Sequence, residues 1–445
     1  MQLTIDKLIY GGDGLARLRE DSASRAPKEH TRGKAVFVPF TLAGEHVEAA
    51  VTEEKAGFAR ARLELVVEAS PHRIAPACPY FQQCGGCHYQ HTSYEQQLAI
   101  KTQILEETMR RQAKLELAQP IEVHAAEPWH YRNRSRFQVR THPRFVAGFF
   151  HFGSHEVLPV EQCPISSLLI NRALAALWEL GRAGQIPAEL REVEFFANAD
   201  DSRLMGEFSL DASLDGDKRI AAGETLTDRL RNKLPVLTSA YVFPYSTARA
   251  SKPEAPTQPD WALGGGEFRY EIDPDELRVG GGSFFQVNRF LVETLVNLVT
   301  AGRSGELALD LYAGVGLFTC TLSRSFRHTV AVESSLSSAA DLKYNALPNT
   351  KVIRSTVEEF LASKRRHETP TLIVVDPPRT GLGDRVARAL AQSDAHRITY
   401  VSCDPATLAR DLVALRTGGY RVEQVHLIDL FPQTFHLETV VQLTR

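Results

Sequence analysis

Apolar and polar residues alternate in short runs at the start of the chain, over Leu3–Leu8, Leu15–Leu18, Ala35–Pro39, Glu45–Val51 and Arg60–Val67. A period of two marks half-buried strands, and Gly11-Gly-Asp-Gly14 and the polar stretch Glu20–Gly33 supply turn chemistry between them. Five short strands within residues 1–68 predict a small barrel of the OB type. The period then lengthens. Ser93-Tyr-Glu-Gln96 reads as a capping box, and Tyr94, Leu98, Leu105 and Met109 recur at helical spacing, which predicts a helix over 93–118. Residues 165–283 carry a helix near Leu168–Gly181 and several β runs, and Tyr245–Gly266, rich in Ser, Pro, Ala and Gly, reads as an exposed loop. Beyond it, apolar strands at Leu307–Leu311, Val330–Glu333, Leu372–Val375, Ile398–Val401 and Val440–Leu443 alternate with helical stretches, the pattern of a doubly wound α/β sheet. The expectation is a barrel over 1–68, a mixed α+β central domain over 69–283 and a Rossmann-like α/β domain over 284–445. The helix over 93–118 is expected to pack on that last domain.

Composition narrows this only slightly. At 445 residues the chain exceeds one hydrophobic core, and its charged and apolar fractions are ordinary for a soluble protein. No run approaches the ~18 apolar residues of a membrane span, and Met1-Gln-Leu-Thr-Ile-Asp6 lacks the pattern of a secretory leader, so a cytoplasmic, membrane-free protein is expected; a monomer is the separate expectation for its assembly. The formal net charge of −3 is unevenly spread. Pro128–Arg144 holds Arg132, Arg134, Arg136, Arg140 and Arg144, no acid, and the aromatics Trp129, Tyr131 and Phe137. On a strand, Arg132, Arg134 and Arg136 share one face. Guanidiniums pair with phosphate and stack on bases, so this stretch is a candidate RNA contact, with Arg132 and Arg134 as its candidate residues; an exposed charged strand face is the alternative.

Six cysteines are present, three of them in Cys78-x5-Cys84-Gly-Gly-Cys87. A fourth soft ligand is available from Cys163, in Val160-Glu-Gln-Cys-Pro-Ile165. Four thiolates suit a structural Zn²⁺ or a [4Fe–4S] cluster, and the spacing does not separate the two.

In the C-terminal part, Leu307-Ala-Leu-Asp-Leu-Tyr-Ala-Gly314-Val-Gly316 runs from a strand into a glycine turn and a helix, and a second strand ends in Glu333. Such a βαβ unit binds an adenosine ribose, the acid taking its hydroxyls and the glycines allowing close backbone approach. The third glycine of a dinucleotide fingerprint is missing, which moves the reading from NAD toward S-adenosylmethionine. Asp376 follows the next strand and is stiffened by Pro377 and Pro378. Cys403 follows Ile398–Val401, and Asp404 and Pro405 suit the cap and first turn of a helix. A thiol at a helix N-terminus is expected to have a lowered pKa, opposed here by the Asp404 charge. Its bland alternative is a buried core thiol. Glu438 closes Ile428-Asp-Leu-Phe-Pro-Gln-Thr-Phe-His-Leu-Glu.

Taken together, Cys78/Cys84/Cys87/Cys163, Ser283–Asn288, Asp310–Thr319, Asp376–Gly381, Tyr400–Thr407 and Ile428–Glu438 resemble, in order, the blocks of the RNA uracil-5 methyltransferase family, and residues 1–68 resemble the TRAM domain. The resemblance implies S-adenosylmethionine-dependent formation of 5-methyluridine in RNA. It implies a [4Fe–4S] cluster on the four cysteines; donor contacts from Gln286, Tyr312, Glu333 and Asp376, with Gly314 and Gly316 in the turn; Cys403 as nucleophile; and Glu438 as general base. Phe284, beside Gln286, is the candidate stacking surface for the flipped base. Having both barrel and cluster is more like the 23S ribosomal RNA members than the shorter transfer-RNA members. Asp404 stands where the family usually has Asn, Thr399 replaces an aliphatic residue, and Leu317 occupies a position that is sometimes a donor-binding Asn. Three rival expectations are a tRNA uridine-54 methyltransferase, an RNA cytosine-5 methyltransferase and a non-catalytic RNA-binding assembly factor.

Overall fold

A computed structural model describes residues 1–18, 33–245, 258–265, 268–363 and 369–445. The Glu20–Gly33 stretch, apart from Gly33, and most of the Tyr245–Gly266 loop lie outside the described residues.

Contacts gather the chain into two compact units, Met1–Glu107 with Phe431–His436, and Thr108–Leu430 with Leu437–Arg445. In the first, strands Gln2–Leu8, Asp13–Arg17, Ala35–Pro39, His46–Glu54 and Phe58–Glu68 form a closed barrel. Their alternation places Leu3, Ile5, Val36, Val38, Val47, Ala49, Ala59 and Ala61 in one buried core, so the period of two read from the sequence is the barrel's inside–outside alternation. The following helix is Tyr94–Gln112. It stops short of 118 because Lys114 takes a left-handed φ of 50°, which ends helical geometry.

The second unit contains two sheets. A mixed seven-stranded sheet includes the neighbouring strands Leu204–Asp211, Leu190–Ala197, Arg134–Arg140 and Val146–Phe150. Helices Leu168–Arg182 and Gly216–Lys233 contribute Ile170, Leu174, Leu177, Leu226 and Leu230 to a core with Phe137, Val193, Phe195 and Phe208. The other sheet has eight strands, in the order Thr350–Arg354, Phe326–Glu333, Gly305–Leu311, Leu372–Val375, Arg397–Ser402, Glu438–Thr444, Arg421–Ile428 and Glu122–His124. The first five are parallel, and Glu438–Thr444 runs antiparallel between its neighbours. This is the doubly wound α/β sheet, extended by Glu122–His124, which the sequence reading did not assign to it. Its switch point lies where the chain, having built outward from Gly305–Leu311 on one side, returns to build on the other.

Among the described residues, no helix is long and apolar enough to cross a membrane.

Candidate active site

In an open α/β sheet the residues just past the carboxyl ends of the strands face the ligand crevice. Register brings Tyr312, Glu333, Asp376 and Cys403 to that edge. Leu311 pairs with Val332 and Val375, and Val375 pairs with Tyr400. Glu438 reaches the same edge from the opposite direction. Antiparallel pairing runs from Arg397↔Thr444 to Ser402↔Thr439, so one further step of this register sets Cys403 across from Glu438. Adjacent strands lie ~4.8 Å apart, so this register brings Cys403 and Glu438 onto neighbouring strands at the same edge.

The turn holding Cys403 is tightly defined. Asp404 N donates to Ser402 Oγ at 3.3 Å, and the Asp404 carboxylate caps the helix Pro405–Thr417 by accepting from Ala406 N (3.1 Å) and Thr407 N (2.8 Å). Cap and Pro405 stand where the sequence reading put them. The thiol's ionisation does not follow that reading: Cys403 is pushed up to about 12, not lowered. Burial is the largest cause, Glu438 and Asp376 add to it, and Arg379 opposes. The helix end is outweighed by desolvation and two carboxyl groups. Glu438, 3% exposed, is itself held well above the usual carboxylate range by burial and then by Asp376, with Arg379 opposing.

A second cluster of acids lies beside these. Asp376 is raised to about 7 by burial and by Asp310. Asp310, fully buried at the end of Gly305–Leu311, is also raised to about 7, by burial first and by Glu333, although Thr319 Oγ1 donates to its Oδ2. Among the described residues, its Oδ1 is buried without a hydrogen-bond partner. Glu333 accepts from Gly314 N at 2.9 Å and Ser335 N at 2.6 Å, and burial raises it against those bonds. Three carboxyl groups so placed, with one buried oxygen unmatched, fit a ligand that brings positive charge and hydroxyl donors. The turn is shaped for close approach: Tyr312, Gly314 and Gly316 have φ of 65°, 56° and 100°, and a Cβ on Gly316 would meet Leu342 Cδ1 at 3.0 Å.

Gln286, 6% exposed, belongs to a segment fixed at both ends. Asp341 accepts from Gly280 N, Ser283 Oγ and Arg278 Nε at 2.7 Å each, and Asn288 Nδ2 donates to Leu430 O at 3.2 Å. Phe284, in the same segment, is 65% exposed.

Arg134 does not stand ready for phosphate. Its guanidinium is buried, donating to Glu194 at 2.5 Å, Glu207 at 3.0 Å and the Ser283 carbonyl at 2.5 Å, and it lies over the Phe196 ring. Arg136 shares Glu194, so the even spacing did place these two on one face, but the face is neutralised by acids on the neighbouring strands. Arg132 is half-buried, its Nε donating to Arg134 O. Arg140 and Arg144 are exposed.

The cysteines occupy ordered loops. Cys78 N donates to Gln90 Oε1, Cys84 N to Tyr80 O, and Gly86 N to Cys84 Sγ at 3.4 Å. Cys163, in the second unit, has its amide donating to Asn171 Oδ1 at 2.8 Å while Asn171 Nδ2 donates to the Cys163, Ser166 and Ser167 carbonyls.

Three features of the site were not assigned from sequence. Arg379 and Asp310 were legible as parts of motifs, one beside an acid and one at a strand end, but carried no role. Asp411 gave no signal: it fixes the Asp376–Gly381 loop by accepting from Leu382 N (2.7 Å), Tyr400 Oη (2.8 Å) and Arg410 Nε (2.9 Å).

Comparison with known proteins is consistent with this geometry. Residues 273–445 match the tRNA (Uracil-5-)-methyltransferase family model and residues 1–63 the TRAM domain model. A protein of Aquifex aeolicus named as an RNA methyltransferase is 32% identical over 466 residues, covering 100% of this chain and 98% of its own. A 23S rRNA (uracil(1939)-C(5))-methyltransferase, RlmD, of Shewanella amazonensis is 31% identical over 464 residues, covering 98% and 94%. The crystal structure of the Pyrococcus abyssi tRNA (uracil-54, C5)-methyltransferase with S-adenosyl-L-homocysteine shares the fold, with a TM-score of 0.74, 22% identity and full coverage of both chains.

Proposed function

Since the chain belongs to the RNA (uracil-5-)-methyltransferase family, whose members act on S-adenosylmethionine and uracil in RNA, we propose that Cys403 is its nucleophile and Glu438 its general base. The observation that supports the assignment is the register, which ends at Ser402↔Thr439 with Cys403 and Glu438 the next residues on the two strands, together with the electrostatic effect of Glu438 on the Cys403 thiol.

Uracil C5 is a weak nucleophile, and the ring must be changed temporarily. Once its thiol proton has passed to solvent, Cys403 Sγ adds to C6 as the thiolate, and the electron pair of the C5–C6 double bond moves toward C5 and the C4 oxygen. Bound S-adenosylmethionine supplies a methyl group activated on a sulfonium. C5 takes the methyl as the sulfonium S–CH3 bond breaks and the sulfur leaves as a neutral thioether; Glu438, ionised at that stage, then removes the C5 proton, and the double bond re-forms as the C6–S bond breaks and the Cys403 thiolate leaves. Both C5 and C6 must be accessible, so the base is flipped out of its stack at a cost of a few kcal/mol, and exposed Phe284 offers a ring for it. Asp376, Glu333, Gln286 and Tyr312, with the turn through Gly314 and Gly316, hold the donor. The unmatched Asp310 oxygen and the acids around it support a cationic, hydroxyl-bearing ligand there.

The RNA is proposed to be 23S rRNA, in keeping with the RlmD relative and the matched TRAM barrel, with Arg132 and the exposed Arg140 and Arg144 toward its backbone. Cys78, Cys84 and Cys87, with Cys163 as the fourth donor, are proposed to hold a [4Fe–4S] cluster. The N–H···S bond to Cys84 and the hydrogen-bonded loops suit thiolate ligands. The three parts 1–68, 69–283 and 284–445 serve RNA binding, cluster and RNA surface, and methyl transfer, in a cytoplasmic monomer.

RNA containing 5-fluorouridine has no C5 proton to remove and is expected to trap the enzyme covalently. Adduct formation by Cys403→Ala sinks the nucleophile assignment. Glu438→Gln is expected to accumulate methylated adduct on normal RNA, and ordinary turnover excludes it as the base. The modified uridine is identified by mapping 5-methyluridine in RNA from cells lacking the protein; loss from tRNA alone refutes the rRNA target.

A further inference from the structure

On the outermost pair of the eight-stranded sheet, His426 pairs with Glu122 and Ile428 with His124, strands joined across a separation of 302 residues. His426 is 5% exposed, and its Nδ1 lies 3.1 Å from His124 Nε2 and 3.2 Å from Glu122 Oε2; His124 Nε2 and Glu122 Oε2 are 4.0 Å apart. All three ligand atoms thus fall within 4.8 Å of one another. Metal–ligand bonds of about 2.0–2.2 Å in a tetrahedron separate the donors by about 3.3–3.6 Å, which is this spacing to within a small side-chain adjustment. We propose that Glu122, His124 and His426 form a binding site for a divalent transition-metal cation of the Zn²⁺ class, which clips the strand Glu122–His124 to the methyltransferase sheet.

The chemistry of the set agrees. Two imidazoles and one carboxylate are borderline ligands suited to Zn²⁺, and His426 is fixed by burial within its strand. Glu122 is mostly exposed and His124 partly so, which leaves the fourth position to water. Arg303 acts on His426 electrostatically and opposes a second cation; Glu122 supplies the compensating charge. The clip has something to hold. Glu122–His124 is three residues long and, among the described residues, pairs along one edge, helped by Asp429 N donating to His124 O at 2.9 Å. The strand it grips, Arg421–Ile428, leads into the segment that ends at Glu438.

Crystals of the full chain soaked in stoichiometric ZnCl₂ and measured on both sides of the zinc edge test the site where it stands, separately from any metal at the cysteines. An anomalous peak is expected between His124 Nε2, His426 Nδ1 and Glu122, together with slower amide exchange over 122–124 in solution on adding zinc. Glu122→Gln combined with His124→Ala changes two non-buried side chains, leaves buried His426 in place, and is expected to abolish the peak. Absence of the peak in the natural chain, or its persistence undiminished in the double variant, overturns the proposal.

Discussion

The two groups proposed to react at the sheet edge are both shifted upward, with burial as the largest cause. Cys403 is pushed up to about 12, and Glu438 lies well above the usual carboxylate range. Both shifts have Asp376 among their causes, so removing that charge is informative. Alkylation of Cys403, followed by mass spectrometry of its own peptide, is expected to rise with pH to the alkaline end of the accessible range. In Asp376→Asn the profile moves to lower pH; a natural-sequence profile already flat at neutrality contradicts the picture. Asp310 makes a separate prediction about stability. Its carboxyl goes from an ordinary 3.8 to about 7 on folding, so the stability carried by the protonated form is complete below pH ~4 and lost as pH rises to about 7. Over that window Asp310→Asn is expected to flatten the fall in thermal midpoint of the ligand-free chain; an unchanged slope assigns the fall to Asp376 and Glu438.

Between neighbouring elements the deciding quantity is where a charge ends up. Arg134, Glu194 and Glu207 come from three adjacent strands and meet in a buried cluster. Although burial opposes it, the two guanidiniums hold Glu194 below the carboxylate range, whereas burial raises Glu207 against Arg134. Taking Arg134 away leaves buried carboxylates uncompensated, so Arg134→Ala is expected to cost about 3–5 kcal/mol of stability in denaturant unfolding. Arg140→Ala, on the exposed end of the same strand, is expected to leave stability unchanged and to weaken RNA binding. The reverse pattern restores Arg134 as a phosphate contact. The arginine spacing was visible in the chain, but the acids that meet it lie about 60 and 73 residues away, and nothing local announces them. Strand alternation and caps, by contrast, are local. The five barrel strands and the Asp404–Pro405 helix start therefore lie where the periodicity and cap chemistry placed them.

For the molecule as a whole, a formal net charge of −3 gives RNA no general attraction, and binding must come from local basic surfaces. Protein purified without oxygen is expected to be brown and to carry about four irons per chain, as a [4Fe–4S] cluster requires; a colourless, iron-free and active preparation removes the cluster from the proposal. The barrel, the doubly wound sheet and the strand-end positions of Glu333, Asp376 and Cys403 were legible in the linear chain, because each is written in a short window of periodicity, glycine turn or strand end; the roles proposed for Cys403 and Glu438 came from the family resemblance. Tertiary structure alone decided that Glu438 comes close enough to act on Cys403 electrostatically, that Asp411 and Asp341 brace the loops at the sheet edge, that Arg134 is consumed internally, and that Glu122–His124 joins the methyltransferase sheet. Those outcomes depend on register and desolvation between segments far apart in sequence, and a local pattern carries no record of which distant group will share its burial.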